Sequence, residues 1–545
     1  MLAGCVDWSA DETRRWTAAG YRSGQGVADL VDVAAARRPD HVAVVDGERQ
    51  LTYAQLRSRI DHLAVALHRA GLNPLDRVVL QLPNALEFVV TFLALVRLGA
   101  IPVMALRAHR YSEVRHFIDA SGATAYFVPG AIHGFDYRTL GQEVQRDCPS
   151  LRQVFVLDDP LPQQTSLRAL LDEPPAASAA PLPRVDPREV ALMLLSGGTT
   201  SMSKLIPRTH DDYVLNARLC AQAAGFDAGT VFLAVLPLGH NYNLASPGML
   251  GVFHAGGTVV IGQGMDAEQV FPLIERHGVT AVAAAVPLIT QWLNADVAAR
   301  HDLRSLRVVQ NGGARLAPEL RRRIRQQWGA TPQEIYGTAE GLINMTRLDD
   351  PDEVLFESSG APVCDDDEIK VVDDDGREVA DGELGELLTR GPYTIRGYYN
   401  APAHNREAFT ADGFYRMGDY VRRRGRNVYA EGRKKDLINR GGEKISCEEV
   451  ESLIFQHPKV HQVALVAMPD PVFGEKACAF VVPKPGESLD LAELVAFLKA
   501  RRIASFKLPE RLERVDQLPT SLVGKILKRQ LRERIAERLR AEAAG

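Results

Sequence analysis

Short apolar runs, most of which lead into polar, glycine-rich loops, constrain this chain more than any other feature. They fall at 191–195, 231–235, 258–262, 280–284 and 306–310, with helical patterns between them. A run of that length reads as a strand buried on both faces, and strands alternating with helical patterns read as βαβ units of a parallel sheet. The same alternation occupies 28–140: a helix AQLRSRIDHLAVALHRAG that stops at Gly71, a strand RVVLQLP at 77–83, a helix that ends at Gly99, and a strand IPVMAL at 101–106. In open α/β sheets, ligands sit beyond the carboxyl ends of the strands. Four polar segments follow such strands: SGGTTSMSK (196–204), GHNYNLASPG (239–248), NGGA (311–314) and IYGTAEG (335–341). Loops opening on one sheet edge describe one composite pocket.

The first of these segments has the chemistry of a polyphosphate cradle. Glycine lets the backbone approach an anion, hydroxyls and amides donate to phosphate oxygens, and a lysine supplies countercharge. Ser196, Gly197, Gly198, Thr199, Thr200, Ser201, Ser203 and Lys204 provide all three. The spacing is not GxxxxGK[ST], so this is not the phosphate loop of the common NTPases.

A chain of 545 residues requires two to four structural units. The stretch 159–188, rich in proline and alanine, reads as a surface connection; 355–432 shortens into β-rich pieces that suggest a small barrel or distorted sheet; and a fresh α/β unit begins after 433. The expected fold is α/β, with an N-terminal region over 1–434 of two βαβ-type subdomains plus the β-rich piece, and a small α+β domain over 435–545. A formal charge of −5 gives no electrostatic footprint for nucleic acid. The basic clusters RRRIRQQ (321–327) and RRRGR (422–426) read as the solvated face of a helix and a charged hairpin. Six cysteines, at 5, 148, 220, 364, 447 and 478, form no CxxC pair and read as thiols of a reducing compartment. The N-terminus lacks the apolar core of a signal peptide, and no window reaches membrane-spanning length, FVVTFLALVRLGAIPVMAL (88–106) being interrupted by Arg97 and Pro102. A soluble, cytoplasmic protein without a membrane or nucleic-acid partner is expected.

In order along the chain, SGGTTSMSKLIPRTH, IYGTAEG, GELLTRGPYTIRGYYN, FYRMGDY, EGRKKDLINRGGEKI and LPTSLVGKILKR resemble the motifs of the adenylate-forming superfamily, across essentially the whole chain. Within it, SKLIPRTHDDY, the HNYNLASPG segment and TRGPYTIRGYY are most similar to stand-alone aryl-acid adenylating enzymes of the 2,3-dihydroxybenzoate and salicylate type, which serve siderophore and related nonribosomal peptide pathways. The resemblance implies two steps: a carboxylate attacks the α-phosphorus of ATP, giving an acyl-adenylate and pyrophosphate, and a phosphopantetheine thiol then takes the acyl group and expels AMP. Such chemistry needs cationic support and positioning more than a protein nucleophile, and no GxSxG motif is present.

The resemblance also implies residue roles. Glu340 would hold Mg²⁺, a hard ion suited to a carboxylate. Tyr336 would stack on adenine, with Gly312, Gly313 and Ala314 letting the base lie against the backbone and Gly337 and Thr338 completing the nucleotide loop. Asp419 would accept the ribose hydroxyls and Arg433 would also reach the nucleotide. Lys525 would be the catalytic lysine of adenylation, His240 a further catalytic residue, and Lys435 the hinge about which a mobile C-terminal domain rotates, opening a thiol channel beside Gly441 and Gly442.

For the acid, the resemblance points to Asn241, Tyr242, Ser246, Asn311, Gly312, Ile335 and Ile343. An amide at 241 can hydrogen-bond an ortho-hydroxyl, and Ser246 favours 2,3-dihydroxybenzoate over salicylate. Asn243 and Asn311 depart from the family pattern, and Ile335 and Ile343 are bulkier than its usual valines, so an amino- or hydroxyl-substituted relative of salicylate also fits. The chain ends without a serine-bearing carrier domain, so the acceptor is expected on a separate aryl carrier protein, or to be coenzyme A, with Arg501, Arg502 or Lys507 as basic contacts for an acidic carrier. Two alternatives remain: an aryl- or acyl-CoA ligase, against whose long-chain form the polar HNYNLASPG segment argues, and a non-catalytic nucleotide-binding scaffold, against which Glu340, Asp419 and Lys525 argue.

Overall fold

The computed structural model describes residues 1–173, 182, 184–196, 203–433, 437–440, 443–501, 503–521 and 526–544. All five apolar runs form strands: Val190–Leu195, Val231–Ala234, Thr258–Ile261, Ala281–Ala284 and Val308–Gly312. Four of them lie in a nine-stranded sheet whose order is 361–362, 341–345, 331–338, 308–312, 281–284, 231–234, 258–261, 42–46, 49–52. Its six central strands run parallel, and antiparallel strands close both edges. The fifth run belongs to a second sheet of seven strands, in the order 205–209, 190–195, 101–104, 77–80, 125–128, 153–156, 165–166.

The two alternating regions therefore do not map one to one onto the two sheets. The hairpin at 42–52 joins the later strands, Val44 lying beside Val259, while Val190–Leu195 pairs in parallel with Ile101–Met104. Burial on both faces makes a strand visible in sequence but leaves its neighbour unspecified. Helix Leu86–Leu98 shows why the layers hold together. It is apolar nearly all round and buries twelve of its residues, the pattern of a helix covered on every side. It ends at Gly99, whose φ of +82° is readily adopted only by glycine. Among the described residues no helix is long and apolar enough to cross a membrane.

The β-rich stretch takes the form of an antiparallel meander of four strands, Glu368–Val372, Leu384–Arg390, Tyr415–Arg424 and Asn427–Arg433. The RRRGR cluster forms the tip of its last hairpin, as expected. After it, strands Ile438–Arg440, Glu443–Ile445, Val460–Asp470, Gly474–Pro483 and Arg511–Arg514 build a separate sheet with two apolar clusters of its own. The cluster RRRIRQQ does lie on a helix, Pro318–Trp328, but not wholly on its solvated face. Arg321 is fully buried, with its guanidinium 3.0 Å from Glu334. A charge run in sequence does not reveal which member has a buried partner.

Candidate functional site

Three of the segments singled out above, GHNYNLASPG, NGGA and IYGTAEG, end or follow strands of the nine-stranded sheet at its carboxyl edge, whereas the phosphate segment follows a strand of the seven-stranded sheet, so the expected single sheet edge is in fact two. IYGTAEG closes a tight hairpin between Thr331–Thr338 and Gly341–Met345, with Glu340 in the turn. Gly337 has to be glycine, because a β-carbon there would run into the carbonyl of Leu342. The Thr338 hydroxyl donates to the Gly341 carbonyl at 2.9 Å, so it braces the turn. Tyr336 donates through its hydroxyl to Asp419 Oδ2 at 2.8 Å. Asp419 and Arg433 are register partners, and Arg433 Nε lies 2.7 Å from Asp419 Oδ1. Burial and the charge of Asp419 hold the Tyr336 phenol well above its ordinary range, which keeps it a neutral donor. The residues expected for adenine and ribose are thus locked together, with Asp419 6% exposed.

Glu340 is buried and accepts a hydrogen bond from the Tyr398 hydroxyl at 2.7 Å, while Tyr398 is also 3.1 Å from the hydroxyl of Tyr415. Both tyrosines stand in the motifs quoted above, Tyr398 in GELLTRGPYTIRGYYN and Tyr415 in FYRMGDY, but a motif does not disclose which group each hydroxyl meets. Arg208 anchors the same turn from the other sheet. Its guanidinium donates to the carbonyls of Ala339 (2.8 Å) and Tyr393 (3.3 Å) and pairs with Asp212 at 2.7 Å, both members being fully buried. Among the described residues no group of three or more His, Cys, Asp and Glu side chains could hold a metal alone. Mg²⁺ does not require one, because it binds through one or two carboxylates plus phosphate and water oxygens. A single constrained carboxylate at Glu340 fits that donor set.

The neck of the phosphate loop is a continuation of the Val190–Leu195 and Leu205–Thr209 hairpin. Ser196 N donates to the Lys204 carbonyl, and Lys204 N donates to Ser196 Oγ, both at 2.9 Å. Gly197, Gly198, Thr199, Thr200 and Ser201 lie outside the described residues. His404, which the motif reading passed over, has its ring centroid 5.1 Å from that of Tyr398. Burial and the charge of Lys204 lower its pKa, placing Lys204, His404 and Glu340 in one electrostatic neighbourhood.

On the acid side, Asn241–Ala245 forms a short helix capped by His240, whose Nδ1 accepts from Tyr242 N at 3.3 Å. Burial pushes the His240 imidazole down to about 4, so it is neutral at physiological pH. Asn241 Oδ1 accepts from the Tyr213 hydroxyl at 2.8 Å, and its Nδ2 donates to Ser246 Oγ at 3.3 Å. One amide N–H remains for a ligand. Tyr213, on helix His210–Ala223, is a positioning residue that the motif reading did not single out.

A β-carbon at Gly312 would lie 3.0–3.2 Å from the phenolic end of the Tyr242 ring, so this glycine makes room for Tyr242 on the acid side. Gly313 has φ +84° with open space around it, and Ala314 is exposed. Ile335 and Ile343 are both buried, and Ile343 packs against the Gly337 backbone two residues beyond Ile335. Asn243 is fully buried and donates to the Leu236 carbonyl at 2.8 Å. Asn311, expected to contact the acid, does not face that side: its Nδ2 donates to the Ala314 carbonyl and to Glu334, and alternation along the strand puts it opposite the face on which Gly312 meets Tyr242.

From the C-terminal domain, Ser446 Oγ donates to the Glu431 carbonyl at 2.7 Å, and Glu448 packs over Gly432. Burial raises the Glu448 carboxyl to about 7, against the opposing charges of Lys528 and Arg315. Lys525, Lys435, Gly441, Gly442 and Arg502 lie outside the described residues. Lys507 is paired with Glu449 at 2.6 Å, and Arg501 lies over the Phe497 ring at 3.4 Å.

A nucleotide-type site at the carboxyl edge of a large α/β region, followed by a small domain, defines an adenylate-forming architecture. The chain belongs to the AMP-binding enzymes: that family model matches residues 31–399, and the AMP-binding enzyme C-terminal domain matches residues 449–525. It is 45% identical to the 2,3-dihydroxybenzoate-AMP ligase of Bacillus subtilis, over 99% of each chain. It is 48% identical to a salicylyl-CoA synthase / salicylate adenylyltransferase of a Streptomyces species, over 97% of each. Among solved structures it resembles apo MbtA of Mycobacterium smegmatis, with 42% identity, a TM-score of 0.75, and coverage of 98% of this chain and 99% of that one.

Proposed function

We propose that this enzyme uses ATP to activate an aromatic acid of the salicylate and 2,3-dihydroxybenzoate class, and passes the aryl group to a phosphopantetheine thiol. The thiol is expected on a separate aryl carrier protein serving siderophore or other nonribosomal peptide assembly in the cytoplasm; coenzyme A carries the same arm and is the other acceptor to test. The observation that carries the aryl-acid reading is the Asn241 amide, tethered by Tyr213 and set beside Ser246 so that one N–H is left for an ortho-hydroxyl.

In the first step a carboxylate oxygen forms a bond to the α-phosphorus, and the bond to the bridging oxygen breaks with its electron pair leaving on pyrophosphate. Asp419, Tyr336 and Arg433 hold the nucleoside end; Lys204 and its loop receive the phosphates. Mg²⁺, when bound through Glu340, would supply charge neutralisation on the phosphate oxygens. Lys525 would neutralise charge between the carboxylate and the α-phosphate. In the second step the thiol sulfur bonds to the acyl carbon, and AMP leaves with the electrons of the broken C–O bond.

ATP–pyrophosphate exchange across salicylate, 2,3-dihydroxybenzoate, 3-hydroxybenzoate, aminobenzoates and benzoate tests the reading. Exchange highest with ortho-hydroxylated acids is expected; exchange with none of them would refute it. Transfer to an aryl carrier protein compared with coenzyme A separates the two acceptors.

A further inference from the structure

Lys204 closes the segment read as the phosphate cradle, and the backbone around it is held at four points. Its own N–H and carbonyl pair with Ser196 across the neck of the hairpin, both at 2.9 Å. The carbonyl that follows, of Leu205, accepts from Tyr399 N at 3.0 Å. The carbonyl that precedes, of Ser203, lies 2.8 Å from His116 Nε2. A backbone carbonyl can only accept, so Nε2 carries a proton and donates, as it does both in the neutral ring protonated there and in the imidazolium.

His116 comes from outside the hairpin. It stands on helix Tyr111–Ser121, whose residues Val114, Phe117 and Ile118 pack into one apolar cluster with Met193 and Leu205. His116 flanks that buried stripe and is itself half-buried. Leu205–Thr209 is the edge strand of the seven-stranded sheet, paired with another strand on one side only among the described residues. Backbone groups on the open side of an edge need partners from elsewhere. Tyr399 N supplies one at Leu205, and the imidazole supplies one at Ser203.

The anchor bears on phosphate because of what it adjoins. A lysine binds phosphate as a point charge on a flexible stem, so its effect depends on where that stem is rooted. Fixing the root before the ligand arrives lowers the ordering cost that binding must overcome. We propose that His116 is a positioning residue for the polyphosphate: by donating to the Ser203 carbonyl it fixes the backbone from which the Lys204 ammonium reaches the phosphates of ATP and the pyrophosphate formed from them. This rests on the reading of Lys204 as a phosphate contact in the adenylation step, and it adds a residue that stands outside every motif quoted above.

The two half-reactions test it, because only the first handles polyphosphate. In His116→Leu, KM for ATP and for pyrophosphate in the exchange assay should rise by about 3- to 10-fold, the loss expected for one neutral hydrogen bond. KM for the aromatic acid, and the rate of transfer from supplied aryl-adenylate to the thiol, should change by less than about 2-fold. His116→Gln, whose amide nitrogen can donate to the same carbonyl, should recover most of the loss. In a Lys204→Met background, His116→Leu should add less than about 2-fold, since the two residues act through one ammonium. Unchanged constants for ATP and pyrophosphate in His116→Leu would overturn the inference. So would an equal loss in acid binding and thiol transfer, the absence of rescue by glutamine, or full additivity with Lys204→Met. If Lys204→Met itself leaves both polyphosphate constants unchanged, the reading of Lys204 fails, and the role of His116 with it. No exchange with any aromatic acid would instead refute the proposed function.

Discussion

Tyr213→Phe isolates how the acid pocket is oriented. The substitution keeps the ring and removes only the hydroxyl that donates to Asn241 Oδ1 at 2.8 Å. Tyr213 is fully buried and Asn241 is 8% exposed, so bulk water cannot replace the lost bond. Leaving the amide oxygen unsatisfied costs about 1–3 kcal/mol. The amide can recover part of that by turning over and accepting from Ser246, but its N–H then no longer faces the acid. Either way the ortho-hydroxyl loses its preorganised donor, and kcat/KM for ortho-hydroxylated acids should fall by about 10- to 30-fold. Benzoate, which has no such group, should change by less than about 3-fold, and chemical denaturation should show a stability loss of about 1 kcal/mol. Exchange kinetics on the purified variant measure both acids side by side. An equal loss for benzoate and salicylate would show that Tyr213 merely supports the fold, and the argument for Asn241 would fail with it.

Lys525→Ala should slow adenylate formation by about 10²–10³ or more while still transferring from supplied acyl-adenylate; equal loss in both half-reactions, followed by single-turnover assays, would count against domain alternation. Arg208→Met leaves Asp212 as an unpaired buried charge and should destabilise the protein by about 3–5 kcal/mol in urea titrations. Arg208→Met/Asp212→Leu should regain most of that stability yet not the activity, because the anchor on the Ala339 carbonyl is gone; full recovery of exchange would separate Arg208 from the Glu340 turn. Asp419→Asn should raise KM for ATP by about 10-fold with little change in KM for the acid, since it weakens a charge-assisted acceptor. Burial lowers the His210 imidazole from 6.5 to about 4. Between those values the unfolded chain binds a proton that the folded one does not, so stability is complete above pH 6.5 and declines as pH falls toward 4. His210→Gln should flatten that decline in denaturant titrations, and an unchanged slope would exclude His210 as its source.

What the sequence discloses here follows from what burial does to a pattern. Strands such as 231–234 and 281–284 are covered on both faces, so nothing polar interrupts them, and their polar continuations mark the site edge. The identity of a strand's neighbour leaves no such trace, which is why the hairpin at 42–52 and the strand 190–195 exchange sheets relative to the simple reading. The same asymmetry runs through the site. Glu340, Asp419 and Tyr336 stand in ordered motifs, and the structure joins Asp419 directly to Tyr336 and Arg433. Their supporting side chains are less legible: Tyr213, Tyr398 and Tyr415 lie within quoted motifs, but nothing in a motif says which group each hydroxyl meets. Gly312 adds a packing reason that its motif does not disclose, because the space beside it is filled by the Tyr242 ring. Asn311 shows the same limit from the other side: beside Gly312 in sequence it reads as a pocket residue, yet side chains alternate along a strand, and it goes with Glu334 on the face opposite to the one where Gly312 meets Tyr242.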